Sequence, residues 1–233
     1  MATYVLLHGA GSDPWYWHLV APCLQDRGNV VIAVDLPCDD DSAGLNEYAE
    51  TVLRAIGDRD DLIVVAQSLA GFVAPLVCER RSADLLVLVN AMVPRRGESA
   101  REWWANTNHV FPEPFDPVEV FLHDVPAEVA AEAGNHVRRQ SDAIFDDPWP
   151  LSEWPSVSTR VLACRDDRFF PIDFQRQVMS KRLGIEPDEM TGGHLPALSR
   201  PQELVDRLEA YRISADLHAS GRTGDQSHVH EGG

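Results

Sequence analysis

The stretch Leu62-Ile63-Val64-Val65-Ala66-Gln67-Ser68-Leu69-Ala70-Gly71 runs from an unbroken apolar segment into a turn of small residues around one serine. A short β-branched run of this kind suits a strand buried on both faces, as in a parallel sheet covered by helices. Residues 69–81 then read as a helix. A serine at such a strand-to-helix joint has the pattern of a nucleophile elbow. The strand and helix approach closely there, so only small residues fit two positions before and two after the serine. Ala66 and Ala70 stand where the usual motif has glycines, which departs from its letter but keeps its steric logic. By itself such a serine reads equally well as a helix N-cap.

Outward from this stretch, short β-branched runs alternate with amphipathic ones. Strands are expected at 4–8, 30–35, 62–67, 85–90 and 160–164, with a weaker one at 186–190. Asp13-Pro14 is an N-cap with proline at the first helical position, opening a helix to about residue 26. Residues 45–56 place Leu45, Ala49, Val52, Leu53 and Ile56 on one face, and Gly57 stops that helix. A last helix is expected over 202–212. The alternation predicts a three-layer α/β/α sandwich around a mostly parallel sheet, a single domain over residues 1–213.

Between about 92 and 157 the alternation breaks down. This segment holds Trp103, Trp104, Trp149 and Trp154, many prolines and one expected helix at 128–140. So long a strand-free stretch inside a compact fold reads as a small cap over a site. Residues 214–233 are polar and rich in Gly, Ser and His, and are expected to form a mobile tail. His218, His228 and His230 there have poor spacing for a metal ligand set, and no metal site is expected.

The chain has 233 residues, 44% hydrophobic and 24% charged, with a formal charge of −17 at pH 7. That charge argues against a nucleic-acid surface or an anionic membrane as partner. Cys23, Cys38, Cys78 and Cys164 are scattered, without a CxxC pair, and read as small core residues in a reducing compartment. Neither an export signal nor an apolar run of membrane-spanning length is visible, so a cytoplasmic location is expected. Oligomeric state has no signature in the sequence, and there is no internal repeat.

Two further features raise the elbow above an N-cap. The first strand ends in His8-Gly9-Ala10-Gly11, a glycine-bearing turn at the strand edge where open α/β sheets bind ligands. In an acyl-transfer reading, the backbone amides of Ala10 and Leu69 form the oxyanion hole. Downstream, Arg160-Val-Leu-Ala-Cys-Arg-Asp166-Asp167-Arg-Phe-Phe-Pro171 is a strand ending in acidic residues, and Thr191-Gly-Gly-His194 puts a histidine in a glycine loop. Ser68, Asp167 and His194 thus come from three strand ends in the order Ser, Asp, His. His194 would take the serine proton and return it to the leaving group, while Asp167 would fix the imidazole tautomer. Asp166 is adjacent, and the spacing to Pro171 favours Asp167.

On these residues the chain resembles the α/β-hydrolase superfamily. More narrowly it resembles small bacterial esterase-like members related to plant methylesterases and hydroxynitrile lyases, over residues 3–213. The shared stretches are Val5-Leu-Leu-His-Gly-Ala-Gly11 with Trp15-Tyr-Trp17, Val34-Asp-Leu-Pro37, Gln67-Ser-Leu-Ala-Gly71 and Gly192-Gly-His194. The resemblance implies a cofactor-independent hydrolase acting on a small-molecule ester or related acyl compound. Hydroxynitrile lyases of this group carry a lysine close after the catalytic histidine and a threonine in the first oxyanion turn. Leu195, Pro196 and Gly9 stand here instead, which favours a carboxylesterase on small to medium apolar esters. The alternatives are a lactonase, thioesterase or C–C bond hydrolase using the same serine, a lyase-like enzyme, and a non-catalytic ligand receptor. Met92, Trp103, Trp104 and Phe121 are the expected pocket residues, with Phe111 and Phe115 as further candidates. Trp15 and Trp17 are expected to pack the first helix on the sheet, and His109, His123 and His136 to be solvated or internally satisfied.

Overall fold

The computed structural model describes residues 1–224, with side chains through residue 215. Six strands form the sheet: β1 (Thr3–Leu7), β2 (Val30–Val34), β3 (Leu62–Gln67), β4 (Leu85–Val89), β5 (Thr159–Cys164) and β6 (Asp188–Met190). All neighbouring pairs are parallel, in the order β2-β1-β3-β4-β5-β6. The helices are α1 (Val20–Asp26), α2 (Leu45–Ile56), α3 (Ala74–Arg80), α4 (Ala100–Asn106), α5 (Pro117–Phe121), α6 (Ala127–Ala133), α7 (Ala143–Asp146), α8 (Ile172–Leu183), α9 (Pro196–Ser199) and α10 (Pro201–Gly224).

The two-residue period of the strands sorts their side chains into two cores. Val5, Leu7, Val64, Ala66, Leu86, Leu88 and Val161 pack on the face covered by α2, α3 and α8. Tyr4, Leu6, Ile63, Val65, Leu85, Val87 and Leu162 pack on the other, under α1 and α10. Because both faces are covered, the central strands β1, β3 and β4 are buried throughout, which is why they read as nearly continuous apolar runs.

The register sets the site. Leu7 pairs with Ala66, and Gln67 with Val89, so β1, β3 and β4 end level. The chain runs from β1 outward to β2 and then returns to β3 on the other side of β1. The crevice at such a reversal, beyond the carboxyl ends of the strands, is where doubly wound sheets bind ligands. Gly9 and Ser68 flank it.

Prolines redraw two helices. The helix expected over 14–26 divides into a 3-10 turn, Pro14–Trp17, and α1. Pro22 sits in the first turn of α1, where its missing N–H and its ring are tolerated; in an unbroken helix it would clash with the preceding turn. Residues 69–81 divide likewise into a 3-10 turn, Ser68–Phe72, and α3, with Pro75 in the first turn. The helix expected over 128–140 ends by His136, and Val137 is extended. The sequence pattern does not mark helix α8, because it buries only a narrow stripe of Gln175, Val178 and Met179.

Helices α4 to α7 all lie in the strand-free segment between β4 and β5. The last helix passes the expected end at residue 212 and continues to Gly224. No Gly or Pro occurs from 202 to 220 to stop it, and propagation from a docked helix costs little. The remainder of the expected tail, with His228 and His230, lies outside the described residues, as does the side chain of His218. Among the described residues no helix is long and apolar enough to cross a membrane. Cys38, Cys78 and Cys164 are buried and Cys23 is half-buried, all four as free thiols.

Candidate active site

Ser68 follows β3 directly and adopts φ +53°, the left-handed region that L-residues avoid at a cost of roughly 1–2 kcal/mol. Its carbonyl accepts the Met92 N–H at 3.0 Å, which ties the elbow to the end of β4. The close approach is real at Gly71, where a Cβ would lie 2.0 Å from the Met92 carbonyl oxygen. Ala66 and Ala70 are buried at the same crossing. Gly9 is constrained in the same way: a Cβ there would lie 2.4 Å from Gln67 Oε1 and 3.0 Å from Ser68 Cβ.

The loop after β6 carries His194, whose Nε2 lies 3.1 Å from Ser68 Oγ and whose Nδ1 lies 2.8 Å from Asp167 Oδ2. Both partners are buried, with the side chain of His194 3% exposed and that of Asp167 0%. The other oxygen of Asp167 accepts the N–H groups of Phe169 and Phe170, each at 2.8 Å. Asp166 faces elsewhere: it is exposed, and its Oδ2 accepts the Gly192 N–H at 3.0 Å.

Two residues that the sequence reading missed hold this arrangement from beneath. Gln67 Nε2 donates to the His194 carbonyl at 3.1 Å, and Asn90 Nδ2 donates to the same oxygen at 3.2 Å. Asn90 also accepts the Cys164 N–H at 2.8 Å and sits at φ +44°, a conformation asparagine tolerates better than most residues. Their signal was available: each is a polar residue closing an otherwise apolar strand run.

The turn after β1 is braced from both sides. His8 is fully buried, with Nδ1 donating to the Gly9 carbonyl at 2.9 Å and Nε2 accepting the Leu36 N–H at 3.3 Å. Accepting the Leu36 N–H needs the neutral ring, and burial pushes the His8 pKa below its ordinary value. From the segment between β4 and β5, Gln140 Oε1 accepts the Gly11 N–H at 2.9 Å, and the Arg138 N–H donates to the Gly11 carbonyl at 2.9 Å.

Above these residues lies a cavity of about 480 Å³. Ser68, His194, Ala10 and Leu69 all line it. Leu69 is the second residue of its 3-10 turn, and the first amides of any helical turn have no partner within it. Met92, Trp104 and Phe121 line the cavity, joined by Phe169, which stands edge-on to His194 at 5.2 Å between ring centroids.

Trp103 does not line it, contrary to the sequence reading. Adjacent residues on a helix point about 100° apart, and α4 turns Trp103 into the core. There it is 1% exposed and donates from Nε1 to the Val93 carbonyl. Phe111 and Phe115 are also absent from the lining and are 45% and 47% exposed.

Trp17 packs in the core with no exposure, but Trp15 lines the cavity, stacked between His18 at 4.1 Å and His136 at 4.4 Å. Burial was the expectation for both, and only position in the 3-10 turn separates them. His136 lines the cavity as well, its Nδ1 2.8 Å from Asp13 Oδ2. His109 donates from Nε2 to the Phe169 carbonyl at 2.7 Å, and burial lowers its pKa. Among the described residues no group of three His, Cys, Asp or Glu side chains could hold a metal ion.

The sheet order, the elbow and the strand-end cavity define an α/β-hydrolase, and comparison with known proteins agrees. Residues 4–207 match the model of the alpha/beta hydrolase family, to which the chain belongs. It is similar to Methylesterase 3 of Arabidopsis thaliana, at 25% identity over 88% of this chain and 93% of that protein. Among solved structures it resembles polyneuridine aldehyde esterase (TM-score 0.74, 19% identity, covering 91% of this chain and 99% of the other). It also resembles a pyrethroid hydrolase from Sphingobium faniae JZ-2 (TM-score 0.72, 22% identity, covering 94% and 99%).

Proposed function

We propose that the chain is a serine esterase that cleaves small to medium apolar carboxylic esters through an acyl-enzyme on Ser68. The observation that carries this reading is the continuous line from Asp167 Oδ2 to His194 (2.8 Å) and from His194 to Ser68 Oγ (3.1 Å) at the floor of the cavity. Ser68 Oγ attacks the ester carbonyl carbon as its proton passes to His194 Nε2. The carbonyl oxygen, now an anion, takes hydrogen bonds from the amides of Ala10 and Leu69; one such donor contributes about 3–4 kcal/mol in comparable sites. Collapse expels the alcohol, which leaves with the proton from Nε2. Water then repeats the sequence and releases the acid. Asp167 keeps the Nδ1 proton in place, so that Nε2 is free to accept.

The segment over residues 92–157 acts as the cap, supplying Met92, Trp104 and Phe121 to an apolar acyl or alcohol site. Arg138 also lines the cavity, but it is engaged by Asp35 and Asp39, so it does not offer a free cation to an acidic substrate. The names of the relatives, a methylesterase and a polyneuridine aldehyde esterase, support ester cleavage over the lactone, thioester and C–C alternatives.

The test is turnover of p-nitrophenyl acetate and butyrate, together with labelling by a fluorophosphonate. The parent should hydrolyse both esters and label once, and Ser68→Ala should do neither. Equal activity in the two proteins would refute the reading. Labelling of the parent without turnover of esters, but with turnover of lactones, thioesters or diketones, would move the assignment to those substrates.

A further inference from the structure

The loop that presents His194 is gripped, one residue before the histidine, by an acid from the segment between β4 and β5. Asp124 lies in the turn between α5 and α6, and its Oδ2 accepts the Gly193 N–H at 2.8 Å, one residue before His194. The glycines of this loop make room for it. A Cβ on Gly193 would lie 2.7 Å from Asp124 Oδ1, and one on Gly192 would lie 3.4 Å from Asp124 Oδ2.

The remaining surroundings are buried and polar at once. Asp124 Oδ1, His123 Nε2 and Ser199 Oγ are buried without a hydrogen-bond partner among the described residues, and all three sit against Gly192 and Gly193. Apart from Asp124, the loop is held by Gln67 and Asn90 at the His194 carbonyl, by Asn90 at the Gly193 carbonyl, and by Asp166 at the Gly192 N–H. Those partners sit at or next to the strand ends, whereas Asp124 comes from the segment over residues 92–157.

We infer that Asp124 is a positioning residue: it fixes the backbone of the His194 loop and so couples the cap to the general base. Asp124 is not among the residues lining the cavity, and the imidazole is hydrogen-bonded to Asp167 and Ser68, so its effect passes through the Gly193 amide. This rests on the proposed esterase reading. A carboxylate acceptor is stronger than a neutral one, yet an asparagine carbonyl in the same place still accepts that N–H. Loss of the acceptor lets His194 drift from Ser68 Oγ, and misplacement of a reacting group by about 1 Å costs on the order of 100-fold in rate.

The experiment compares the parent, Asp124→Ala, Asp124→Asn and Ser68→Ala. Two readouts are taken on each: the rate constant for phosphonylation by a small fluorophosphonate, and kcat and KM for p-nitrophenyl acetate against p-nitrophenyl octanoate. Small probes need the Ser–His pair and little of the cap. Asp124→Ala should slow phosphonylation and lower kcat on both esters by about 10- to 100-fold, with KM nearly unchanged. Asp124→Asn should recover most of that loss.

A residue that merely supports the cap gives a different pattern. Asp124→Ala would then raise KM for the octanoate while leaving phosphonylation at the parent rate, and that outcome overturns the inference. If Asp124→Ala is too unstable to assay, Asp124→Asn and Asp124→Ser carry the comparison; equal phosphonylation by Ser, Asn and parent overturns it too. Ser68→Ala separates the two levels. A variant that still labels or turns over ester removes the esterase reading itself, whereas an inert Ser68→Ala beside a fully active Asp124→Ala removes only the role of Asp124.

Discussion

Asp167→Asn is the substitution that asks most of the proposed chemistry, because it removes the charge and reverses one hydrogen bond while leaving the side chain's shape almost unchanged. The native carboxylate accepts three hydrogen bonds, two at Oδ1 from Phe169 and Phe170 and one at Oδ2 from His194 Nδ1. Asparagine has one carbonyl oxygen and one NH₂. The two backbone donors claim the oxygen, since turning the NH₂ toward them would bury two unmatched donors at a cost of about 1–3 kcal/mol each. The NH₂ must then face His194 Nδ1, which has to accept and so carries no proton. The ring proton moves to Nε2, where it points at Ser68 Oγ, and the base can no longer take the serine proton.

A comparable swap in a Ser-His-Asp site lowers kcat by about 10⁴-fold, which is ~5.4 kcal/mol at 1.36 kcal/mol per decade. Stability should hardly change, because both loop amides keep their acceptor. The assay is kcat for p-nitrophenyl butyrate, with thermal unfolding as the control. Asp166→Asn makes the internal comparison: its carbonyl can still accept the Gly192 N–H, and activity should stay within a few-fold of the parent. An Asp167→Asn protein with more than a few per cent of parental kcat, or a larger loss from Asp166→Asn, would refute this assignment of the acid.

Two predictions concern the frame around the site. Arg182 and Glu98 form a buried ion pair, 3% and 4% exposed, with Asn106 and the Arg95 N–H also on the carboxylate. Arg182→Met should cost about 3–5 kcal/mol in urea unfolding, because it strands a buried charge, whereas the double variant Arg182→Met with Glu98→Met should recover most of it. A double variant no better than the single would count against that account.

His8 gives a pH signature in stability, since burial holds its folded pKa below its ordinary value of 6.5. Below that value the unfolded chain binds a proton that the folded chain refuses, so stability is present above it and falls as pH drops toward the folded pKa. His8→Gln should flatten the slope of unfolding free energy against pH in that window, measured by urea titration. An unchanged slope would mean that other groups set it.

Much of the site was legible because its parts are local. The elbow around Ser68 and the turn at Gly9 each follow a strand whose apolar run announces it, while the loop before His194 is marked by its own paired glycines after a weak, polar strand. What the sequence pattern blurred were choices that depend on direction. Trp103 and Trp104 are neighbours of the same type, yet α4 sends one into the core and the other into the cavity. Trp15 and Trp17 divide in the same way within one 3-10 turn. Helix boundaries at Pro22 and Pro75 followed from proline sterics that a periodicity reading alone passes over.

By itself, then, the sequence determined the sheet, the order of its chemistry-bearing strand ends and the chemical type of each group there. Those properties follow from local periodicity and from residue chemistry. Only the tertiary structure decided which acid faces His194, since Asp166 and Asp167 differ by one residue and a reversal of direction. It also decided that Gln67, Asn90 and Asp124 hold the histidine loop. They are separated from that loop by 127, 104 and 69 residues respectively, and only packing of the strand ends brings such distant donors and acceptors within 3.2 Å.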